Sequence, residues 1–171
     1  MQISDGLKQI LTPYWGSLIL LPALIATVLS AIAVEPISLL LLCGSLGFVS
    51  FVLLLFTRTR QHWLIGVLTA AILTTIATTH WPLRVTYAAA KPQIAQVAAQ
   101  VQAGNTVDRP FWVGSFRIAK AEVDKGVVCL WTDLHPNGRT GFVQQRQQDQ
   151  QKFNTWSTLQ LDSEWQLLAE D

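Results

Sequence analysis

Three long apolar runs occupy the first half of the chain, and short runs of alternating character occupy the second. The first set is Tyr14 to Val34, Ile37 to Phe56, and about Trp63 to Trp81, none with a charged residue in its interior. A helix needs about 20 mostly apolar residues to cross ~30 Å of hydrocarbon, so each run predicts a membrane span. The first run is longer than a usual signal-peptide core and the second follows almost at once, so it is expected to be retained. Glu35 and Pro36 separate the first two runs, and Pro36 suits the first turn of the second helix, where its missing N–H costs nothing. A tight helical hairpin follows.

Past Pro82 the periodicity changes. Ile94, Val97, Ala98 and Val101 recur at helical spacing with glutamines between them, predicting a short amphipathic helix over Pro92 to Ala103. Gly104 and Asn105 suit its end, since both tolerate the left-handed conformation that closes helices. Five short runs rich in β-branched and aromatic residues come next: Phe111 to Val123, Val127 to Asp133, Thr140 to Gln145, Thr155 to Leu161, and Trp165 to Leu168. Asp124-Lys125-Gly126 and Pro136-Asn137-Gly138 supply turn residues between them. Gln144 to Gln151 holds six glutamines and predicts an exposed loop. Within Val127 to Asp133 both alternate sets are largely apolar, which predicts a central strand covered on both faces. The fold class expected is therefore membrane α+β: three transmembrane helices over residues 1–81, then a small α+β domain over 82–171, one amphipathic helix on an antiparallel β-meander.

Charge sharpens this division. Residues 1–81 carry only Asp5, Lys8, Glu35, Arg58 and Arg60, and charged residues make up 13% of the whole chain, about half the share in soluble domains. From Pro82 onward nine basic residues balance nine acidic ones, which offers no basic stripe for nucleic acid. Arg58 and Arg60 mark their loop as cytoplasmic by the positive-inside rule, although Arg84 and Lys91 reduce the asymmetry. With three spans, the amino terminus is then cytoplasmic and the carboxyl-terminal domain extracytoplasmic. Trp15, Trp63 and Trp81 fall at span ends, where indoles favour the headgroup region.

Candidate chemistry is sparse. Proton and ion pathways usually use ionisable groups at membrane depth, and the three runs have none. Gly66, Ala70, Thr74 and Thr78 draw a stripe of small side chains along the third run, the kind of surface that admits a second helix closely. Asp133 and His135 stand near the Pro136-Asn137-Gly138 turn and could form an acid and a base, but no nucleophile-base-orienter set accompanies them. The same types are ordinary turn formers. Cys129 lies in an apolar strand without a Cys-x-x-Cys partner, which reads as a buried structural thiol. Trp131, Trp156 and Trp165 read mainly as core, and Trp112, after Arg109-Pro110, as the exposed indole. Trp112, Asp133 and His135 thus make the candidate head site, with no catalytic, cofactor or metal site expected.

Several motifs together resemble an uncharacterised family of small bacterial membrane proteins. They are Trp81-Pro82-Leu83-Arg84, Val127-Val128-Cys129-Leu130-Trp131-Thr132-Asp133, Gly141-Phe142-Val143, Phe153-Asn154-Thr155-Trp156-Ser157 and Ala169-Glu170-Asp171. The resemblance covers about half the chain and implies a bacterial, membrane-attached head; it brings no activity and no site residue. A hydrophobic helix leading into an amphipathic helix and sheet also looks in outline like a type IV pilin, but two extra spans and no pilin-type cleavage motif make that an analogy of shape. The expectation for function is a non-catalytic interaction or assembly component in a cytoplasmic-type membrane. Its partners would be the lipid bilayer and another membrane protein or a second copy. A ligand-sensing or enzymatic head is the alternative, and an oligomeric channel a further one.

Overall fold

The computed structural model describes residues 15–32, 36–55, 60–135, 138–144 and 153–170; for Trp15, Gly16, Pro36, Arg60, Gln61 and His135 it describes the backbone alone. The chain divides into two compact units, one of residues 1–29 with 40–80 and one of residues 30–39 with 81–171.

The first unit is helical: α1 (Trp15–Ser30), α2 (Pro36–Leu55) and α3 (Arg60–Thr79). Two of these, over Ile37–Leu55 and His62–Thr79, are long and apolar enough to cross a membrane, while α1 is a shorter apolar helix over Ser17–Ser30. Two helices of span length are thus shown among the described residues where three spans were expected; Tyr14, Ala33 and Val34, which completed the first run, lie outside them. Each helix buries a single face. On α1 it is Ile19, Ala23 and Ala26, and on α3 it is Gly66, Thr69, Leu73 and Ile76. Leu24, Leu41, Phe48, Leu64 and Val67 are each more than 60% exposed. A surface of that kind is costly in water and is matched by hydrocarbon. Hydroxyls inside the helices are satisfied locally: Ser50, Thr74 and Thr75 donate to carbonyls of the preceding turn. Thr69 Oγ1 also reaches Ile19 O at 3.2 Å, joining α3 to α1.

The third apolar run ends before Trp81, contrary to expectation. His80 takes a left-handed conformation (φ 50°), and a new helix, α4 (Trp81–Gln102), starts with Pro82 in its first turn. This helix is nearly twice the length expected and passes straight through Pro92. Proline removes one helical hydrogen bond, at a cost of about 3 kcal/mol in a helix interior. What offsets that cost is a continuous buried stripe of Leu83, Tyr87, Ala90, Ile94, Ala98 and Val101.

The stripe lies on a five-stranded antiparallel sheet of order β3 (Lys120–Asp124), β4 (Val127–His135), β5 (Gly138–Gln144), β7 (Trp165–Glu170), β6 (Thr155–Gln160). The expected meander fails at its end, because β7 inserts between β5 and β6. Burial accounts for the order: Trp165, Leu167, Leu168 and Ala169 are at most 2% exposed and need covering on both sides, whereas β6 alternates exposed and half-buried positions. The run Phe111 to Val123 is three strands instead of one. Its first two, β1 (Phe111–Val113) and β2 (Phe116–Ile118), form a separate ribbon around Gly114 and Ser115.

Central strand β4 is covered on both faces. Val128 and Leu130 join the α4 core with Phe116, Phe142 and Leu167, while Val127, Cys129 and Trp131 join Val143, Phe153 and Leu168 opposite. Gly141 faces Trp131 across the β4–β5 ladder, and a Cβ there would lie 2.7 Å from Trp131 Cα. Only glycine allows that approach.

Polar contacts hold α4 to the β6–β7 turn. Arg84 donates to the carbonyls of Gln160 and Leu161 at 2.9 and 3.1 Å. Asp162 accepts from Tyr87 Oη at 2.6 Å, from Lys91 Nζ at 2.8 Å, and from the amides of Glu164 and Trp165. Burial alone would raise the Asp162 carboxyl, but the donors from Lys91, Tyr87 and the two amides outweigh it and bring its pKa to about 2. A carboxyl lowered in the folded state stabilises above its unfolded pKa, and that stability disappears as pH falls from 3.8 through about 2. The shift corresponds to about 2 kcal/mol. Thermal unfolding of the full chain in detergent should therefore show a steeper acid loss over this window for the native sequence than for Asp162→Asn. Superimposable acid limbs would rule the contribution out.

Candidate functional site

Two constellations stand outside the apolar core of the second unit. One is a groove of about 300 Å³ lined by Ile32, Trp112, Ser115, Phe116, Arg117, Thr132 and Asp133. The other is a charged network on the face of the sheet away from α4.

The groove is built on the β1–β2 ribbon. Phe116 and Ile118 point into the core at 2% and 0% exposure, so the alternation of β2 turns Arg117 outward. Trp112 is the register partner of Arg117 and is 68% exposed. The ribbon is pinned at its turn, where Gly114 (φ 59°) donates its N–H to Gln93 Oε1 at 2.7 Å. A Cβ on Gly114 would come within 2.8 Å of Ala90 Cβ, so the turn lies directly on α4. The facing wall comes from β4. Its register shifts between Trp131 and Asp133, making Thr132 the extra residue of a bulge. Successive residues of a regular strand point to opposite faces; the bulge is why Thr132 and Asp133 line one groove. Thr132 Oγ1 donates to Thr140 O at 3.0 Å, which fixes the bulge in place.

Two of the three residues expected for the head site, Trp112 and Asp133, thus meet in this groove. His135 ends β4, paired with Gly138, and its side chain lies outside the described residues, as do Pro136 and Asn137. The expected strand ended at Asp133; the ladder pairing Leu134 with Arg139 and His135 with Gly138 extends β4 two residues further, so His135 belongs to it as well. Of the small-residue stripe, Gly66 is buried against Leu54, whereas Ala70, Thr74 and Thr78 are exposed. Gly66 and Ala70 line a cavity of about 90 Å³ with Gly47, Ser50 and Leu73. Arg117 was missed from sequence, although a two-residue Gly114-Ser115 turn pairs it with Trp112 automatically.

The charged network centres on Arg139. Its guanidinium lies over the Trp131 ring at 4.3 Å and bonds Asp124 Oδ2 at 2.9 Å and Glu170 Oε2 at 3.0 Å, with Glu122 Oε1 at 3.4 Å. Glu122 also accepts from Trp131 Nε1 at 3.0 Å and pairs with Lys120 at 2.6 Å. Lys125 bonds Glu170 at 2.8 Å and sits over the Phe153 ring. Three carboxylates face three cations, so these six groups balance in charge. Next to it Cys129 is fully buried, and burial pushes its thiol up to about 12, which removes it from thiolate chemistry at neutral pH. Among the described residues no group of three or more His, Cys, Asp or Glu side chains is arranged to hold a metal ion.

Comparison with protein-family models, curated proteins and solved structures finds no match for this chain.

The network is a stability element, and its substitutions should behave accordingly. Removing one partner of a buried ion pair costs about 3–5 kcal/mol. The Arg139 side chain is 30% exposed, so Arg139→Ala should cost about 2 kcal/mol once solvent screening is allowed for. Arg139→Lys should recover only part of this, because an ammonium cannot stack on Trp131 and bridge two carboxylates together. Denaturant unfolding of the full chain in detergent reads both values; an unchanged midpoint in Arg139→Ala would contradict the assignment.

Proposed function

We propose that the chain is a non-catalytic membrane protein whose carboxyl-terminal head serves as a recognition module at the extracytoplasmic surface, with the Trp112–Arg117–Asp133 groove as its contact site. The observation that carries this reading is the groove. It presents an indole to solvent beside a guanidinium that no carboxylate engages among the described residues. Tryptophan and arginine dominate recognition surfaces because each combines a large contact area with directed hydrogen bonding. Among the described cations, Lys120, Lys125 and Arg139 are tied into the Arg139 network, Lys91 into the Asp162 hub and Arg84 to two carbonyls, whereas Arg117 in the groove is available to a partner.

Membrane attachment rests on the two apolar helices and their exposed Leu and Phe side chains. The extracytoplasmic orientation rests on Arg58 and Arg60. The resemblance to small bacterial membrane proteins is compatible with this reading and adds no activity to it. A ligand-sensing head is the second reading, favoured by the convergence of Trp112, Thr132 and Asp133 on one groove.

Replacing Trp112 by a photoreactive phenylalanine analogue tests the recognition role in living cells. Irradiation should yield a covalent adduct from position 112 and none from the same analogue at exposed Gln96 on α4. The absence of any adduct from position 112 would sink the proposal. Orientation is tested separately with Asn105→Cys, an exposed position after α4, in an otherwise native chain. A membrane-impermeant maleimide should label it in intact cells; labelling only after lysis would reverse the orientation.

A further inference from the structure

Gly114 and Ser115 form a two-residue turn with Gly114 left-handed at its first position, so Val113 and Phe116 are the hydrogen-bonded pair that closes the β1–β2 hairpin. Bonded and non-bonded pairs alternate along an antiparallel ladder, which makes Trp112 and Arg117 a non-bonded pair. The backbone N–H and C=O of Arg117 therefore point away from β1. Ala119, two residues on and so on the same edge, shows what they point toward: its N–H donates to Trp131 O at 2.7 Å, joining the end of β2 to β4. Beyond that contact the bulge at Thr132 bends β4 aside, and the groove lined by Arg117, Thr132 and Asp133 opens there. Among the described strands none pairs with this edge of β2, since β1 and β2 form a sheet of their own. The groove thus has strand backbone along one wall. Above that wall the exposed Trp112 ring and Arg117 guanidinium stand side by side, as close neighbours across a non-bonded pair.

Charge narrows the occupant further. Arg117 engages no carboxylate among the described residues, whereas Asp133 on the opposite wall already has an interaction of its own. A cation beside an engaged carboxylate suits one negative charge. A polyanion would find no basic patch to meet it, because nine basic residues balance nine acidic ones from Pro82 onward. We propose that the groove receives an extended peptide segment of a protein partner, carrying one Asp or Glu side chain with apolar residues around it. The inference rests on reading the head as a recognition module and names the chemistry of its partner. The peptide adds to the open edge of β2, and its acidic residue exchanges main-chain hydrogen bonds with the N–H and C=O of Arg117. The carboxylate of that residue takes the guanidinium fork in charge-assisted bonds. An apolar side chain two residues along, on the same face, covers the Trp112 indole. Backbone pairing supplies affinity, and the Arg117 fork selects an acid over its amide.

Fluorine NMR of the full chain in a mild detergent, with fluorotryptophan in place of tryptophan, tests this; loss of one resonance in Trp112→Phe assigns position 112. The probes are end-blocked pentapeptides of valine and threonine with a central Glu, Gln or Lys, the Glu peptide N-methylated at its central amide, and N-acetylglutamate N-methylamide as the bare acid. The Glu peptide should shift the position-112 resonance saturably. The Gln peptide should bind about tenfold more weakly, the usual size of one lost charge-assisted contact. Arg117→Gln should erase that difference, and Arg117→Glu should turn the preference toward Lys. N-methylation should weaken binding by removing the main-chain donor, and Arg109→Gln, at an exposed cation outside the groove, should change nothing. Near-ultraviolet circular dichroism confirms that each variant is folded. Equal binding of the Glu and Gln peptides, a preference unchanged in Arg117→Gln, or no shift from any peptide would overturn the proposal. Equal binding of N-acetylglutamate N-methylamide would overturn it as well, by making the groove a site for a small acid. A protein adduct at position 112 in cells, without a response to the peptides, would defeat this inference and leave the recognition role intact.

Discussion

The head depends on one contact above all: the apolar stripe of α4 laid across the antiparallel sheet. Ile94 and Val101 are fully buried there, Tyr87 stacks near Phe142 with ring centres 6.1 Å apart, and Phe116 meets Phe142 edge-on at 4.8 Å. Burying a side chain of this size contributes roughly 1.5–3 kcal/mol. Without this helix one face of the sheet would be open, and a domain of this size has little surplus core. The same contact explains why α4 tolerates Pro92 and why Arg84, Tyr87 and Lys91 converge on the β6–β7 turn. It also positions the β1–β2 ribbon, since Gly114 rests on Ala90 and bonds Gln93. Whatever the groove recognises is therefore held on a rigid base.

The second face of the sheet is closed differently. Among the described residues six buried ones form its apolar cluster, and its margin carries Arg139 and the carboxylates of Glu122, Asp124 and Glu170. Trp131 serves both, filling the cluster with its ring, carrying the guanidinium, and donating its N–H to Glu122. Gly141 opposite it is required for the same arrangement. This division leaves the ribbon side of the head as the place where the Arg117 guanidinium stands beside an exposed aromatic ring.

Much of this was legible in the chain, and the omissions have identifiable causes. The apolar runs, the turn at Asp124-Lys125-Gly126, and the two-faced burial of β4 are local patterns that sequence carries directly. Trp81 to Lys91 escaped because Pro92 reads as a helix start, and only the buried surface of a distant sheet makes a helix continuous through it. The position of β7 between β5 and β6 is a property of long-range pairing; the apolar run from Trp165 was its one hint. Trp112 and Asp133 were identified separately, but their meeting depends on a bulge at Thr132 that nothing local announces. The Arg139 network was missed although Lys120, Glu122 and Asp124 alternate at strand spacing, since its fourth strand partner, Glu170, lies at the far end of the chain. Of the small-residue stripe on α3, Gly66 lies on the face buried within the chain with Thr69, Leu73 and Ile76, while Ala70, Thr74 and Thr78 are exposed.

The central claim, that α4 and the sheet form one cooperative unit on which the groove is built, is open to a direct measurement. Hydrogen exchange of the full chain in detergent should show the amides of α4 and those of β4, β5 and β7 sharing one opening free energy. Ile94→Ala should lower it in all of them together by about 2–5 kcal/mol. If α4 instead exchanged freely while the strands stayed protected, or if Ile94→Ala loosened the helix alone, the account would be wrong.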